Sequence, residues 1–351
     1  ILLPLSDVII ATGGLGPTKD DISKNTIAEF FGKELIFIEE IWQKIQDMFA
    51  FRNVAIPEVN RNQAIVPQDF IALDNQQGTA PGLFYEFDNK LLFCFPGVQL
   101  EMKHLFTDRA LAIIKEKYQV SSFFLNTINT YGISESATAE ILDDIILEEN
   151  VNLAWLPQTG RVDLRIYGHN SEACQKLNDE IKKRLNDYLC AENSNSLSET
   201  IHNAFIKNNK SISLAESCTG GLIQKLLTDN AGSSVYLKGG IVCYSNESKK
   251  NLLGVSQNTL DEFGAVSHQT AKEMLIGLKK NFKSDYYVSV TGIAGPDGGT
   301  EEKPVGLVYI GIADHESVNI FKMRFLGTRD SIRFKTAEFV FYKILKLMEN
   351  R

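Results

Sequence analysis

The residues with the most chemical potential sit together in Ala215-Glu216-Ser217-Cys218-Thr219-Gly220-Gly221, between an apolar run and an amphipathic one. Small and hydroxylated residues there bring Ser217 to the end of a strand, beside the free backbone N–H groups of Thr219, Gly220 and the helix start. That placement suits a nucleophile facing an oxyanion hole. The same loop also suits a phosphate cradle built from N–H groups, and the residue types leave both open. Cys218 has no local histidine partner and reads as a small buried side chain.

A second cluster, Tyr244-Ser245-Asn246-Glu247-Ser248-Lys249-Lys250, follows the next strand, which puts its head at the same sheet edge as Ser217. A partly desolvated lysine there can be neutral and take the proton of a serine hydroxyl, and a nearby tyrosine can relay or donate it. The alternative is that Lys249 and Lys250 are solvated helix residues. Ser233 and Ser234 follow Ala231-Gly232 and can cap the strand approach or bond the reacting group. The third cluster runs from Thr291 to Pro304, where Thr291, Gly292, Gly295 and Gly298 allow close backbone approach to a ligand and Lys303 can neutralise a phosphate. Arg329 opens the last helix and is a further phosphate or transition-state candidate. Near the start, Gly13-Gly14-Leu15-Gly16-Pro17-Thr18-Lys19-Asp20-Asp21 places donors at a helix start with two carboxylates just inside it. Gly14, Gly16 and Thr18 suit a phosphate, and Asp20 and Asp21 suit a metal or the helix dipole.

These clusters need strands and helices to hold them. Asp7 to Thr12 reads as a strand, followed by a helix around Ile27, a helix from Ile41 to Arg52, a loop-rich stretch from Asn60 to Pro81, strands Gly82 to Phe87 and Lys90 to Phe95, and a helix from Gln99 to Lys117. A small α+β unit follows: strand Ser121 to Tyr131, helix Glu135 to Glu148, strands Val151 to Pro157 and Arg161 to Tyr167, and helix Ser171 to Leu189. From Glu199 helices and strands alternate to a final helix, Arg329 to Met348, which argues an α/β layered domain with its site at strand ends. The shares are 1–118, 119–193 and 194–351.

Composition narrows the function classes. The 351 residues carry a formal net charge of −8, which gives no long-range attraction for phosphate backbones or anionic membranes. Five cysteines without a Cys-x-x-Cys pair argue against a disulfide framework or structural zinc, and the five scattered histidines against a zinc hydrolase. No Gly-Lys-Ser/Thr follows the first glycine loop and no Gly-x-Gly-x-x-Gly occurs in it, which excludes the P-loop and dinucleotide-binding readings. No apolar stretch approaches membrane-spanning length, and a cytoplasmic location is expected.

The run from Ala215 to Gly221, with Gly232-Ser233-Ser234, Tyr244 to Glu247 with Lys249, Phe263 to Ser267, and Thr291 to Gly299 with Glu301 to Gly306, resembles the C-terminal domain of the competence/damage-inducible protein A (CinA) family. The resemblance implies hydrolysis of nicotinamide mononucleotide to nicotinate mononucleotide and ammonia in pyridine nucleotide recycling, without a cofactor. Ser217 would be nucleophile, Lys249 base and Tyr244 its helper, with Ser234 and Arg329 in support. Thr12 to Thr18 with Asp20-Asp21, Gly78 to Gly82, and Pro96-Gly97-Val98 with Glu101-Met102 resemble the molybdopterin-binding-like domain that begins these proteins. In some relatives that domain hydrolyses ADP-ribose with a divalent metal. The middle unit is similar to the family's KH-like domain, so the expected fold is three α/β domains: α/β/α, small α+β and layered α/β.

The sequence departs from the family in lacking a further initial strand and helix with a Gly-Thr-Glu-Leu-type motif, so it reads as cut into its first domain. Gln99 stands where relatives have a second proline. The middle unit has no Gly-x-x-Gly, so nucleic acid is not an expected partner. A small-molecule nucleotide and a second copy in a homodimer are. Besides the amidase, two other readings stand: a metal-dependent ADP-ribose pyrophosphatase centred on Asp20 and Asp21, and a non-catalytic nucleotide-binding protein linked to competence.

Overall fold

The structure is a computed structural model that describes residues 5–118 and 123–349. The chain divides into two compact units, Ile1–Ser121 and Ser122–Arg351.

In the first unit, β1 (Val8–Thr12), α1 (Ser23–Phe30), β2 (Leu35–Phe37), α2 (Glu39–Phe51), β3 (Ile65–Pro67), β4 (Ile71–Leu73), β5 (Gly82–Phe87) and β6 (Lys90–Phe95) precede α3 (Gln99–Leu105) and α4 (Leu111–Lys117). The main sheet has the order β1-β6-β5-β4, with β1 and β6 parallel and the other pairs antiparallel. The continuous apolar run Leu91 to Phe95 is buried along its whole length, as a strand covered on both faces must be. Ile27, Phe31 and Ile41 cover one face, and Met102, Phe106, Ile113 and Ile114 the other. The helix expected from Gln99 to Lys117 runs through a single π turn, Phe106–Ala110. Within the stretch read as loop-rich, Ile65–Pro67 pairs with Leu35–Phe37 as a separate two-stranded ribbon.

The second unit begins with β7 (Phe124–Thr130), α5 (Glu135–Ile141), β8 (Val151–Gln158), β9 (Arg161–Gly168), α6 (Ser171–Arg184) and β10 (Leu189–Glu192). These form an antiparallel sheet of order β10-β7-β9-β8. The expected strand start at Ser121 lies outside the described residues. Helix α5 stops at Ile141, short of the expected Glu148, because Arg184 donates to the Ile141 carbonyl at 3.1 Å and binds Asp144, closing the helix from outside. The helix expected to reach Leu189 ends at Arg184, where Asn186-Asp187 favour a turn and the chain re-enters the sheet beside β7.

The rest of the unit comprises α7 (Leu197–Asn208), β11 (Ile212–Glu216), α8 (Leu222–Thr228), β12 (Leu237–Val242), α9 (Asn246–Leu253), α10 (Gln257–Phe263), α11 (His268–Asn281), β13 (Tyr286–Gly292), β14 (Leu307–Ala313), β15 (Val318–Arg324) and α12 (Arg329–Glu349). Its sheet has the order β12-β11-β13-β14-β15, in which the first three strands are parallel and the last two run antiparallel. Residues of α7, α8 and α12 pack one face, and residues of α9, α10 and α11 the other. Helix α10 escaped the sequence reading because it is a single capped piece of seven residues, with Ser256 accepting from the Thr259 N–H.

Candidate active site

The five residues of β11 are buried between two parallel neighbours, so its carboxyl end is fixed from both sides. Ser217 follows immediately, at the edge where open parallel sheets present ligands. Its N–H donates to the Val290 carbonyl at 2.9 Å, which extends the ladder one residue past the strand. The Gly220 N–H returns to the Ser217 carbonyl at 3.0 Å, and Gly220 and Gly221 at φ +61° and +89° turn the chain into α8.

The next strand delivers Lys249. Ser245 caps α9 by accepting from the Ser248 N–H, and Lys249 lies on the buried side of that helix, 1% exposed. Its Nζ is 2.9 Å from Ser217 Oγ, 2.9 Å from the Cys243 carbonyl and 3.5 Å from the Tyr244 carbonyl. Among the described residues no carboxylate pairs with this lysine within salt-bridge distance. Burial therefore holds its pKa below the ordinary lysine range. The three oxygens around Nζ accept from it, and when the amine is neutral its lone pair can instead meet the Ser217 hydroxyl. The alternative of a solvated Lys249 is thereby removed.

Tyr244 is placed differently from expectation. The residue is 60% exposed, and its hydroxyl accepts from Arg329 Nη2 at 2.7 Å instead of reaching Lys249. Only its backbone carbonyl approaches the amine. Arg329 Nη1 also donates to the Gly295 carbonyl at 2.7 Å, so this arginine joins the turn before α9 to the long loop after β13. At the end of β13 Thr291 is buried and donates to the Ala265 carbonyl at 2.6 Å. Lys303 Nζ donates to the Phe263 carbonyl at 2.6 Å, where a free phosphate-neutralising ammonium was expected. Gly292 is needed for space, since a Cβ there would lie 2.7 Å from the Leu307 carbonyl oxygen. Ser234 sits exposed on the short turn Ser233–Val235, and among the described residues its side chain bonds to neither Ser217 nor Lys249.

The oxyanion donors also shift. The Gly220 N–H is taken up by the Ser217 turn, and the Cys218 and Thr219 N–H groups lie against the Cys218 sulfur. The Thr219 side chain is fully buried and its Oγ1 has no partner among the described residues. Cys218 is a thiol: burial pushes it up to about 12. Two residues without an assigned role in the sequence reading hold this loop. The buried Glu216 carboxylate accepts from the Ile223 N–H at 3.2 Å and the Gln224 N–H at 2.9 Å, capping α8. Arg333 Nε and Nη2 both donate to the Thr219 carbonyl, at 3.1 and 2.8 Å. The available signals were a carboxylate just ahead of a helix and an arginine four residues after Arg329 on one helix face.

In the first unit the Gly13 N–H donates to the Phe95 carbonyl at 2.8 Å, which joins the first glycine loop to the end of β6. Gly14, at φ +70°, leaves no room for a Cβ against Ser23, and a Cβ on Gly16 would meet Asp21 at 2.5 Å. Asp20 and Asp21 precede α1 instead of lying inside it. The Thr18 hydroxyl donates to both, at 2.6 Å to Asp21, whose N–H-bonded carboxyl is held below the usual range by Thr18. Among the described residues no three His, Cys, Asp or Glu side chains gather where a metal could bind.

Residues 194–348 match the CinA C-terminal domain family, residues 3–115 the family described as "Probable molybdopterin binding domain", and residues 126–191 the damage-inducible protein CinA KH domain. A relative in Caldicellulosiruptor saccharolyticus, "Putative competence-damage inducible protein", is 40% identical over 96% of this chain and 83% of its own length. A "CinA-like protein" of Syntrophomonas wolfei is 36% identical over 96% of this chain and 83% of its own. The crystal structure of the competence/damage inducible protein CihA from Agrobacterium tumefaciens, 41% identical, aligns with 44% of this chain and 93% of that one at a TM-score of 0.42. With domains matched from end to end and relatives alike over nearly its whole length, this chain belongs to the CinA family of competence/damage-inducible proteins.

Proposed function

We propose that this protein is an amidohydrolase that converts nicotinamide mononucleotide to nicotinate mononucleotide and ammonia. The observation that carries the reading is the buried contact of 2.9 Å between Ser217 Oγ and Lys249 Nζ, with no carboxylate paired to the lysine among the described residues. The pair fits attack on a carboxamide; the choice of nicotinamide mononucleotide follows the family resemblance of the Ser217, Tyr244 and Lys249 motifs.

Lys249 takes the proton of the serine hydroxyl as Ser217 Oγ bonds to the amide carbon. The carbonyl oxygen becomes an oxyanion, which backbone N–H groups of the loop after Ser217 would stabilise. The Lys249 ammonium then gives its proton to the departing nitrogen, the C–N bond breaks, and ammonia leaves an acyl ester on Ser217. Water adds to that ester while Lys249 takes its proton, and return of the proton to Ser217 Oγ frees the carboxylate product. Arg329 and the Tyr244 ring stand exposed at the rim, where they suit the phosphate and the pyridine ring.

Ser217→Ala and Lys249→Met should each reduce ammonia release from nicotinamide mononucleotide by roughly three orders of magnitude or more, on the scale seen when a nucleophile or its base is removed from other serine hydrolases. Circular dichroism should stay unchanged. Turnover retained in Ser217→Ala removes the serine from the reaction.

A further inference from the structure

We infer that Arg333 is a positioning residue for the nucleophile loop, an inference that rests on the amidohydrolase reading of Ser217. Arg333 contacts neither Ser217 nor Lys249 by hydrogen bond; it acts through Thr219. Two nitrogens of its guanidinium converge on one carbonyl oxygen, which also accepts the Leu222 N–H at 3.2 Å. Three donors on a single carbonyl make a strongly determined peptide orientation.

The loop needs that hold. Its two glycines take positive φ and contribute little stiffness, and the buried Thr219 hydroxyl makes no bond of its own among the described residues. Ser217 N–H fixes one end on Val290, and Glu216 fixes the start of α8. Between those anchors the Thr219 carbonyl is gripped from another element, the second turn of α12. The Thr219 carbonyl shares its peptide plane with the Gly220 N–H, which closes the turn on the Ser217 carbonyl at 3.0 Å, so the fork of Arg333 opposes a rotation that would open that turn and move Ser217. The other ionic contact of Arg333, to the exposed Asp330 at 3.5 Å, is of the weakly stabilising surface kind and does not explain the fork.

The role predicts a loss in rate rather than in binding. A misplaced nucleophile costs catalysis far more than affinity, so Arg333→Ala should lower kcat by roughly tenfold to a hundredfold with KM changed about twofold at most. Arg333→Lys, which keeps the charge and the stem and loses the fork, should recover only part of the rate. Guanidinium ion added at millimolar levels should raise the turnover of Arg333→Ala and leave the parent protein unaffected. The acid side of the pH profile should not move, because Lys249 is untouched. Should Arg333→Ala fail to fold, Arg333→Lys carries the same expectation.

A probe independent of the amide substrate separates this inference from the function it rests on. Phenylmethylsulfonyl fluoride would sulfonylate Ser217, followed by mass spectrometry of the 217–225 peptide in the parent and in both variants. Slower labelling in the variants, alongside the kcat loss, is the expected result. Equal labelling rates with unchanged kcat overturn the role of Arg333. Labelling of the parent without ammonia release from nicotinamide mononucleotide overturns the substrate and still tests Arg333, whereas a parent that neither labels nor turns over removes the nucleophile and the Arg333 role together.

Discussion

In the proposed reaction Lys249 has to be a base while buried in the protein interior, and that burial fixes the pH behaviour expected of the site. The usual lysine value is 10.5, and burial moves this one downward. Only the unprotonated amine can accept the Ser217 proton, so kcat/KM should rise with pH along a limb that belongs to Lys249 and lies below 10.5. A pH profile of ammonia release checks this; a limb at the ordinary lysine position contradicts it. Ser217 and Lys249 were legible in the sequence because parallel neighbouring strands deliver their following residues to one edge. Tyr244 was half legible: its position was right, but whether its hydroxyl turns to Lys249 or to Arg329 depends on a helix that starts 85 residues later. That the side chains of Lys303 and Thr291 bond the carbonyls of Phe263 and Ala265 was not legible in the sequence. Sequence names a side chain's chemistry and leaves open which backbone group claims it.

Among the elements, α8 depends on a cap from outside itself. Its preceding residue is Gly221, which has no side chain to offer, so the two oxygens of Glu216 serve two N–H groups of the first turn. Glu216→Gln keeps the shape but turns an NH2 toward an N–H, leaving one buried donor unmatched. That should cost about 1–3 kcal/mol, as an unsatisfied buried group does, measured as a lower midpoint in urea unfolding. Turnover should fall with it, since the same helix start closes the Ser217 loop. The elements that periodicity disclosed are those long enough to show a pattern, such as α11 and α12. Strand β10 and helix α5 diverge from expectation because their limits are set by partners, β7 for the one and Arg184 for the other.

At the scale of the whole chain, the second unit is one body in which the small α+β part and the layered α/β part share a core: Tyr131 and Cys190 cluster with Ile344 and Leu345 of α12. The Tyr131 and Tyr342 rings lie 4.7 Å apart, and Tyr342 donates to the Asp187 carbonyl at 3.0 Å. The same contact buries Glu338, and burial raises its carboxyl to about 7, with Asp163 adding to the rise and Arg161 opposing it. The folded chain then keeps a proton that the unfolded chain loses between about 4.5 and 7, so stability should fall as pH rises through that interval. Glu338→Gln should flatten the dependence and gain up to roughly 3 kcal/mol above pH 7, because a proton held more tightly in one state than the other is worth about 1.4 kcal/mol for every tenfold difference in affinity. Thermal unfolding at several pH values reads it. The three-part division was visible in changes of pattern along the sequence, but the shared core was not, because no local pattern tells which buried face meets which.

The absence of a carboxylate beside Lys249, among the described residues, has a consequence for ionic strength. A base whose proton affinity is set by a neighbouring charge weakens or strengthens as mobile ions gather around the pair. Here the governing cost is removal of an ammonium from water, which dissolved ions beyond the protein surface barely alter. Electrolyte can change how a phosphate-bearing substrate meets Arg329 at the rim while leaving the proton chemistry at the serine where it was, so substrate capture and bond breaking would answer to salt separately.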